Sequence, residues 1–457
     1  MGPSFFVTPE AAGWYKGTHS DWLPDESAMQ IINTTPYVFL PLDSSPAPTM
    51  PALSLIVKAT FALRHEQPAL AVAKDAQQQL SGDEQYLDDL GRSLRYSNDL
   101  VPTKLRGEAL VTATSYPPDG LARAACDVGI AIGPIEKTLR ITGDRAWFRD
   151  AQGQMAIGRA QPFQSMQVRW ERAFGGMNLP VNPMGRGIEA WPDELGRPTH
   201  YLPNIEYLDK HVETLKDRPP PAGFGPISPT WEPRVGRQGT RDQRWATFRA
   251  PLPPKDFDPL FYNAAPEDQQ LPEGYFVGDE AVTLSGLHKE LPVYGTSLPG
   301  KRLRLFLLIR QPREAPSLFA EVEMFLDTVH IDVDAEQMVL LWRRPFPVAS
   351  RAHTEIEACY ITEEELADEP ATLEAHRARF DALRGPTAPP LHEAVNAEAE
   401  AQVAEAKKVL RDGGVDPKLI AKLDGARDPQ EIFKILMDGA QKQTSEMERL
   451  TATFKRS

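Results

Sequence analysis

Apolar and polar positions alternate through most of the first 150 residues of the chain, and the alternation returns after residue 300. In residues 137–142, Lys137, Leu139 and Ile141 share one side of an extended backbone while Thr138, Arg140 and Thr142 share the other. That period of two predicts a strand. RLRLFLLIR from Arg302 repeats the scheme, and further strands are predicted at YVFLPL from Tyr37, LSLIVKATFAL from Leu53, GEALVTATS from Gly107, DVGIAIG from Asp127, FQSMQVRWE from Phe163 and EIEACYI from Glu355. All read as half-buried antiparallel strands.

The run FAEVEMFLDTVHIDVD changes parity: Val322, Met324 and Leu326 are even, whereas Val329, Ile331 and Val333 are odd. A bulge or tight turn at Asp327-Thr328 is required, since a one-residue slip would otherwise turn the apolar face to water. After Asp334 the chain is expected to turn and return as MVLLWRR.

From about Glu363 the pattern becomes helical. Val395, Ala399, Val403 and Leu410 form one stripe that stops at Gly413-Gly414, and two more helix starts follow at Asp416-Pro417 and Asp428-Pro429, the second with Glu431 at capping-box spacing. The TAPP segment around Pro389 reads as a linker. The predicted fold is therefore mainly β, with antiparallel sheets in a sandwich or barrel-like arrangement and a C-terminal α-helical tail. Residues 1–365 make the β domain, with a loop-rich insert at about 170–290, and 366–457 make the helical extension.

That insert contains the most distinctive stretch. Trp170 to Gln269 holds four of the eight tryptophans, and residues 178–272 hold 17 of the 43 prolines. Proline at this density excludes a mostly helical segment. Disorder is excluded as well, because Trp170, Phe174, Trp191, Phe224, Trp231, Trp245, Phe248 and Phe257 each need burial or a partner. Long ordered loops are the prediction.

A net charge of −14 argues against general nucleic-acid binding. Cys126 and Cys359, the two cysteines, stand far apart without neighbouring histidines, so neither a disulfide framework nor a zinc site is expected. The N-terminus lacks the apolar run of a secretory signal, and LSLIVKATFAL is broken by Lys58 and too short to cross a bilayer. A cytoplasmic protein without membrane insertion is expected.

Candidate chemistry is sparse. His330, Asp332 and Asp334 share one face of a predicted strand, but alternating polar residues are what a solvated sheet face shows, so no metal site is assigned. GIAIGPIEKT lacks the lysine directly after the last glycine that a phosphate loop needs, and no GxSxG, HExxH or CxxC occurs. Glu171, Asp242, Asp256 and Asp258 stand among aromatics and could supply the carboxylate pair of a polysaccharide hydrolase, yet acids in such loops commonly cap turns. Arg169, Arg172, Arg186, Arg234, Arg237, Arg241 and Arg244 punctuate the same loops. Some are expected to pair with loop carboxylates, while others could face a partner, tryptophan and arginine being enriched at interface hot spots. Trp170, Arg172, Arg186, Trp191, Trp231, Arg241 and Trp245 are the partner-binding candidates, and an internal loop core is the equally open alternative.

Several ordered runs carry a family resemblance: LIVKATFAL, WERAFGG from Trp170, NPMGRG from Asn182, LPN from Leu202, GFGPI with Trp231, GTRDQRW from Gly239, DFD from Asp256, NAAPEDQ from Asn263, and LDTVHIDVD with Trp342-Arg343. Over about residues 30 to 365 the sequence resembles an uncharacterised-domain family of type VI secretion accessory proteins, adaptors or chaperones for secreted toxins encoded near PAAR-repeat and VgrG-type spike components. The resemblance implies a non-enzymatic adaptor with no cofactor, whose partners are a secreted toxin or its PAAR-containing segment and the spike. A carboxylate-based hydrolase and a structural piece of the secretion apparatus are the alternatives.

Overall fold

A computed structural model of the chain describes residues 29–45, 50–188, 191–192, 198–311, 315–349 and 355–385. The predicted linker around Pro389 and the three predicted helices beyond it lie outside the described residues. The chain falls into two compact units, Met1–Leu383 and Arg384–Ser457.

The predicted strands sort into three principal sheets, except that FQSMQVRWE yields only the short strand Met166–Gln167, which pairs with Thr114–Ser115 in a separate two-stranded ladder. A six-stranded sheet runs in the order Val38–Asp43, Ala52–Ala62, Gln337–Pro347, Phe325–Asp332, Glu108–Thr112, with the short Leu70–Ala71 added beside Ala52–Ala62. A five-stranded sheet is ordered Ile205–Tyr207, Ile135–Thr142, Ala125–Ile132, Ala281–Ser285, Val293–Ser297, and a four-stranded one Gln30–Asn33, Ile356–Glu365, Lys301–Ile309, Leu318–Val322. The pairings within them are antiparallel, except that Phe325–Asp332 lies parallel to Glu108–Thr112 and Gln30–Asn33 parallel to Ile356–Glu365. The fold is mainly β, and none of these sheets closes into a barrel.

One apolar core draws on all three sheets. Leu55, Val57 and Phe61 enter it from the six-stranded sheet, Ile130, Leu139 and Leu284 from the five-stranded, and Leu305, Leu307 and Ile361 from the four-stranded. In Ile135–Thr142 the alternation is as predicted except at its end: Lys137, Leu139 and Ile141 are buried and Thr138 and Arg140 exposed, while Thr142 is buried. The four-stranded sheet has a second apolar layer on its other face, where Phe306, Phe319 and Tyr360 pack on Phe380 of helix Leu373–Arg384. His376 of this helix packs against Phe306 with its ring tilted and lies 2.8 Å from Glu364 Oε1. That helix is thus held by the sheet and contributes to the first compact unit, past the 365 boundary expected from sequence.

The six-stranded sheet departs from the half-buried expectation. Ala52–Ala62, Phe325–Asp332 and Gln337–Pro347 are buried on both faces along most of their length. One face meets the common core, and residues 77–104 cover the other with polar partners. Lys58 Nζ meets Asp99 Oδ2 at 2.7 Å and Gln79 O at 2.9 Å, and the Thr60 amide donates to Gln77 Oε1. The predicted bulge is present, since the register shifts between Leu326 and Thr328 and leaves Asp327 as the extra residue. Buried Asp327 pairs with Arg343, whose Nη2 also donates to Asp99 O at 2.9 Å.

Candidate functional site

The tryptophan-rich runs meet mostly one another. Trp170 opens a single 3-10 turn, Trp170–Arg172, and its indole donates to Pro226 O at 2.9 Å. Its ring meets Trp231 edge-on, with centroids 6.4 Å apart, and both tryptophans lie in the common core. Asn182 Nδ2 donates to Trp170 O at 2.9 Å and Phe174 O at 3.1 Å, tying NPMGRG to WERAFGG. At that crossing a Cβ on Gly175 would stand 2.2 Å from Asn182 O and 2.8 Å from Gly185 Cα, so only glycine fits.

NAAPEDQ joins two sheets. The amides of Ala264 and Ala265 donate to buried Glu108 Oε2 at 2.7 Å and 3.0 Å, and Gln269 Nε2 donates to Ala109 O at 2.8 Å. From the five-stranded sheet, Lys137 Nζ donates to Asp268 Oδ1, Gln269 Oε1 and Gly223 O at 2.7 Å to 2.9 Å. Burial lowers the Lys137 ammonium to a pKa of about 8, opposed by Asp268. With its three donors committed, this amine is structural.

The arginine candidates divide. Arg186 Nη1 donates to Asp144 Oδ1 at 3.2 Å, and its guanidinium lies over Tyr201. Arg172 stands 4.0 Å from the same carboxylate and contacts Asn204 Oδ1 at 3.4 Å. Burial pulls both guanidinium pKa values down. These two arginines stabilise the loops from within. Trp191 pairs with Thr199 in a short antiparallel ladder.

Arg241 and Trp245 belong to a different setting. Asp242 caps the one-and-a-half-turn helix Gln243–Phe248 by accepting from the Trp245 amide at 2.7 Å. Half-buried Trp245 donates its indole N–H to Leu252 O at 2.8 Å, and the Arg241 guanidinium lies 5.4 Å from its ring. Phe248 projects into solvent, 83 % exposed. Residues 237–255 carry Arg237, Arg241, Arg244, Arg249 and Lys255 against one acid, Asp242, on a chain whose net charge is −14; Asp256 and Asp258 follow directly, and Arg237 already stands 3.7 Å from Asp258. Gly239, at φ +72°, starts this lobe where a Cβ would meet Phe257 N at 2.9 Å.

Each hydrolase candidate is occupied separately. Glu171 accepts from the Ser93 amide and hydroxyl, Asp256 from those of Thr240, and Asp258 from the Leu260 amide, while Asp242 caps the helix. The Thr240 bonds hold the Asp256 carboxyl below its ordinary range. His330, Asp332 and Asp334 bond to different partners, and the solvated face expected for them holds at exposed Asp334 but is corrected at the other two. His330 and Asp332 are buried under residues 77–104. His330 Nε2 shares a hydrogen bond with Thr112 Oγ1 at 3.0 Å, Asp332 meets Arg95 and Tyr96, and Asp334 holds Thr114. Burial pushes the imidazole of His330 down to about 4. Among the described residues no cluster of three metal-ligating side chains occurs.

Sequence reasoning did not signal an open cleft of about 470 Å³ lined by Arg123, Cys126, Asp127, His288 and Glu290, among others. Burial raises the Cys126 thiol to about 11, which leaves little thiolate for chemistry at neutral pH. No helix among the described residues is long and apolar enough to cross a membrane.

A family model described as "Uncharacterized protein conserved in bacteria (DUF2169)" matches residues 49–343, more than half of the chain. The chain belongs to the DUF2169 family. No curated protein and no solved structure matches it significantly. The DUF2169 match takes in the loop runs, the five-stranded sheet and the central strands of the six-stranded sheet. It stops short of Ile356–Glu365 and helix Leu373–Arg384.

Proposed function

We propose that this DUF2169 protein is a non-enzymatic adaptor that binds a secreted toxin, or the PAAR-containing segment attached to it, and assists its loading on a VgrG-type spike. The class of partner comes from the resemblance of the loop runs to type VI secretion accessory proteins. The observation that carries a binding role is the basic lobe at 237–255, where Phe248 is exposed beside the Arg241–Trp245 pair. Of the eight loop aromatics that require burial or a partner, Phe248 is the one left largely in water among those whose side chains are described. Aromatic and arginine side chains together make effective interface anchors, and an acidic partner face would complement the lobe.

The test is direct. A secreted toxin with a PAAR-containing segment, taken from the same genome, is mixed with the protein and run on a sizing column, with cargo solubility measured in parallel. Co-migration and improved solubility are expected, and Phe248→Ser with Arg241→Ala should weaken binding by about tenfold or more. Unchanged migration and unchanged solubility with the wild-type protein would refute the adaptor reading.

A further inference from the structure

A second exposed apolar element stands at the tip of the hairpin that joins Glu84–Gln85 to Leu94–Tyr96. Leu87 is 80 % exposed and Leu90 83 % exposed, and neither joins an apolar cluster among the described residues. The backbone here is unusual. Leu87 has φ 61° and ψ 22°, Asp88 has φ 54°, and the Asp89 amide donates to Tyr86 O at 3.3 Å. Two consecutive left-handed residues make the mirror-image turn that asparagine and glycine favour, because a Cβ crowds the backbone in that conformation. A leucine held there with its side chain in water gains nothing from its own fold. An outlier maintained against both conformational and solvation preference points to a contact outside the chain.

The tip is firmly mounted. Glu171 accepts from the Ser93 amide and hydroxyl at 2.9 Å and 2.8 Å, Arg95 Nη2 donates to Asp332 at 2.8 Å, and the Arg169 guanidinium lies over Tyr86. At the turn itself, Asp89 accepts from the Gly91 and Arg92 amides. Little ordering cost therefore remains for a binding event. Asp88 and Asp89 are exposed beside the leucines in the turn and Glu84 is exposed at the base of the hairpin, opposite Tyr96, while the neighbouring cation Arg92 is already paired with Asp89 at 3.3 Å.

We propose that this hairpin tip is a docking finger for a partner protein that presents an apolar strip edged by lysine or arginine. Leu87 and Leu90 cover the strip, and Glu84, Asp88 and Asp89 meet its basic margins. This charge preference is opposite to that of the 237–255 lobe, and the inference stands whether or not the partner is a secreted toxin. A membrane suits the finger less well, because its carboxylates are repelled by anionic headgroups.

The probe is an amphipathic peptide of leucine and lysine, with a leucine–glutamate peptide of the same pattern as control. Each is titrated by fluorescence anisotropy against the full chain and against Leu87→Gly/Leu90→Ser. The leucine–lysine peptide should bind the wild type about tenfold tighter than the double variant. The control peptide should bind neither, and the double variant should melt no lower than the wild type, since glycine relieves the turn. Equal affinity for the two proteins overturns the proposal, as does no binding to the wild type at millimolar peptide. Recovery of the wild type, and not the variant, on phosphatidylcholine vesicles also overturns it, in favour of a membrane. Leu90→Ser alone, which leaves the turn backbone untouched, supplies the same comparison if the double variant fails to fold.

Discussion

Two parts of the same tryptophan- and arginine-rich stretch behave differently. Around Trp170, Asn182 and Trp231 the Trp170 indole and the Asn182 amide nitrogen find acceptors inside the protein, and the rings pack on one another or on glycine backbone. Around Arg241, Trp245 and Phe248 the helix is capped and braced, yet the ring at its end stays in water. Tryptophan- and arginine-rich composition therefore reports two things: residues that build the loops, and a small lobe that the loops display. Burial separates them, where residue type alone does not.

Breaking the interior should produce the largest effect. Trp170→Ala is expected to cost about 4 kcal/mol in urea unfolding, since it empties a buried aromatic site and strands Pro226 O. Lys137→Met should cost about 3 kcal/mol by the same measurement, because it leaves Gly223 O and Gln269 Oε1 buried without their donor. A loss under about 1 kcal/mol in either variant would remove the distinction between the two parts.

Acid supplies a third probe of buried polar structure. His330 has its folded pKa lowered from 6.5 to about 4, first by burial and then by Lys58, Arg95 and Lys104, against the opposing pull of Asp332. The unfolded chain thus binds this proton more readily than the folded one. The contribution is fully present above pH 6.5 and is lost as pH falls towards 4, with about 2 kcal/mol gone by pH 5. His330→Gln should accordingly show a smaller drop in urea midpoint between pH 7 and pH 5 than the wild type.

The exposed lobe should give the smallest effect on stability. Phe248→Ser is expected to change the unfolding free energy by less than about 0.5 kcal/mol while weakening partner binding. A cooperative loss of folding in that variant would place Phe248 with the interior.

Much of the architecture was legible from the chain because strand side chains alternate. Lys137, Leu139 and Ile141 share the buried side as expected, and the parity change in residues 319–334 located the bulge at Asp327. Alternation cannot say what covers a polar face. His330 and Asp332 read as solvated because their period-two pattern is the same under water or under a loop, and the cover comes from residues 77–104, distant in sequence. Among the candidate residues, sequence singled out Trp170 and Trp231 for burial or contact but could not choose, since both outcomes satisfy a tryptophan. Phe248 was in the same set, and only its surroundings distinguish it. Leu87 carried no signal at all, because a strained turn is a property of dihedral angles.

The order of the six-stranded sheet also dictates when the protein can fold. Ala52–Ala62 is flanked by Val38–Asp43, made shortly before it, and by Gln337–Pro347, made near the end of the DUF2169 region. At bacterial rates of about 5–20 residues per second, a nascent chain carries this apolar strand with one open edge for roughly tens of seconds. A fragment ending before residue 325 never acquires the missing neighbours, and its bare edge is a template for aggregation. Expression of this protein in pieces should therefore yield inclusion bodies wherever the cut separates Ala52–Ala62 from Gln337–Pro347.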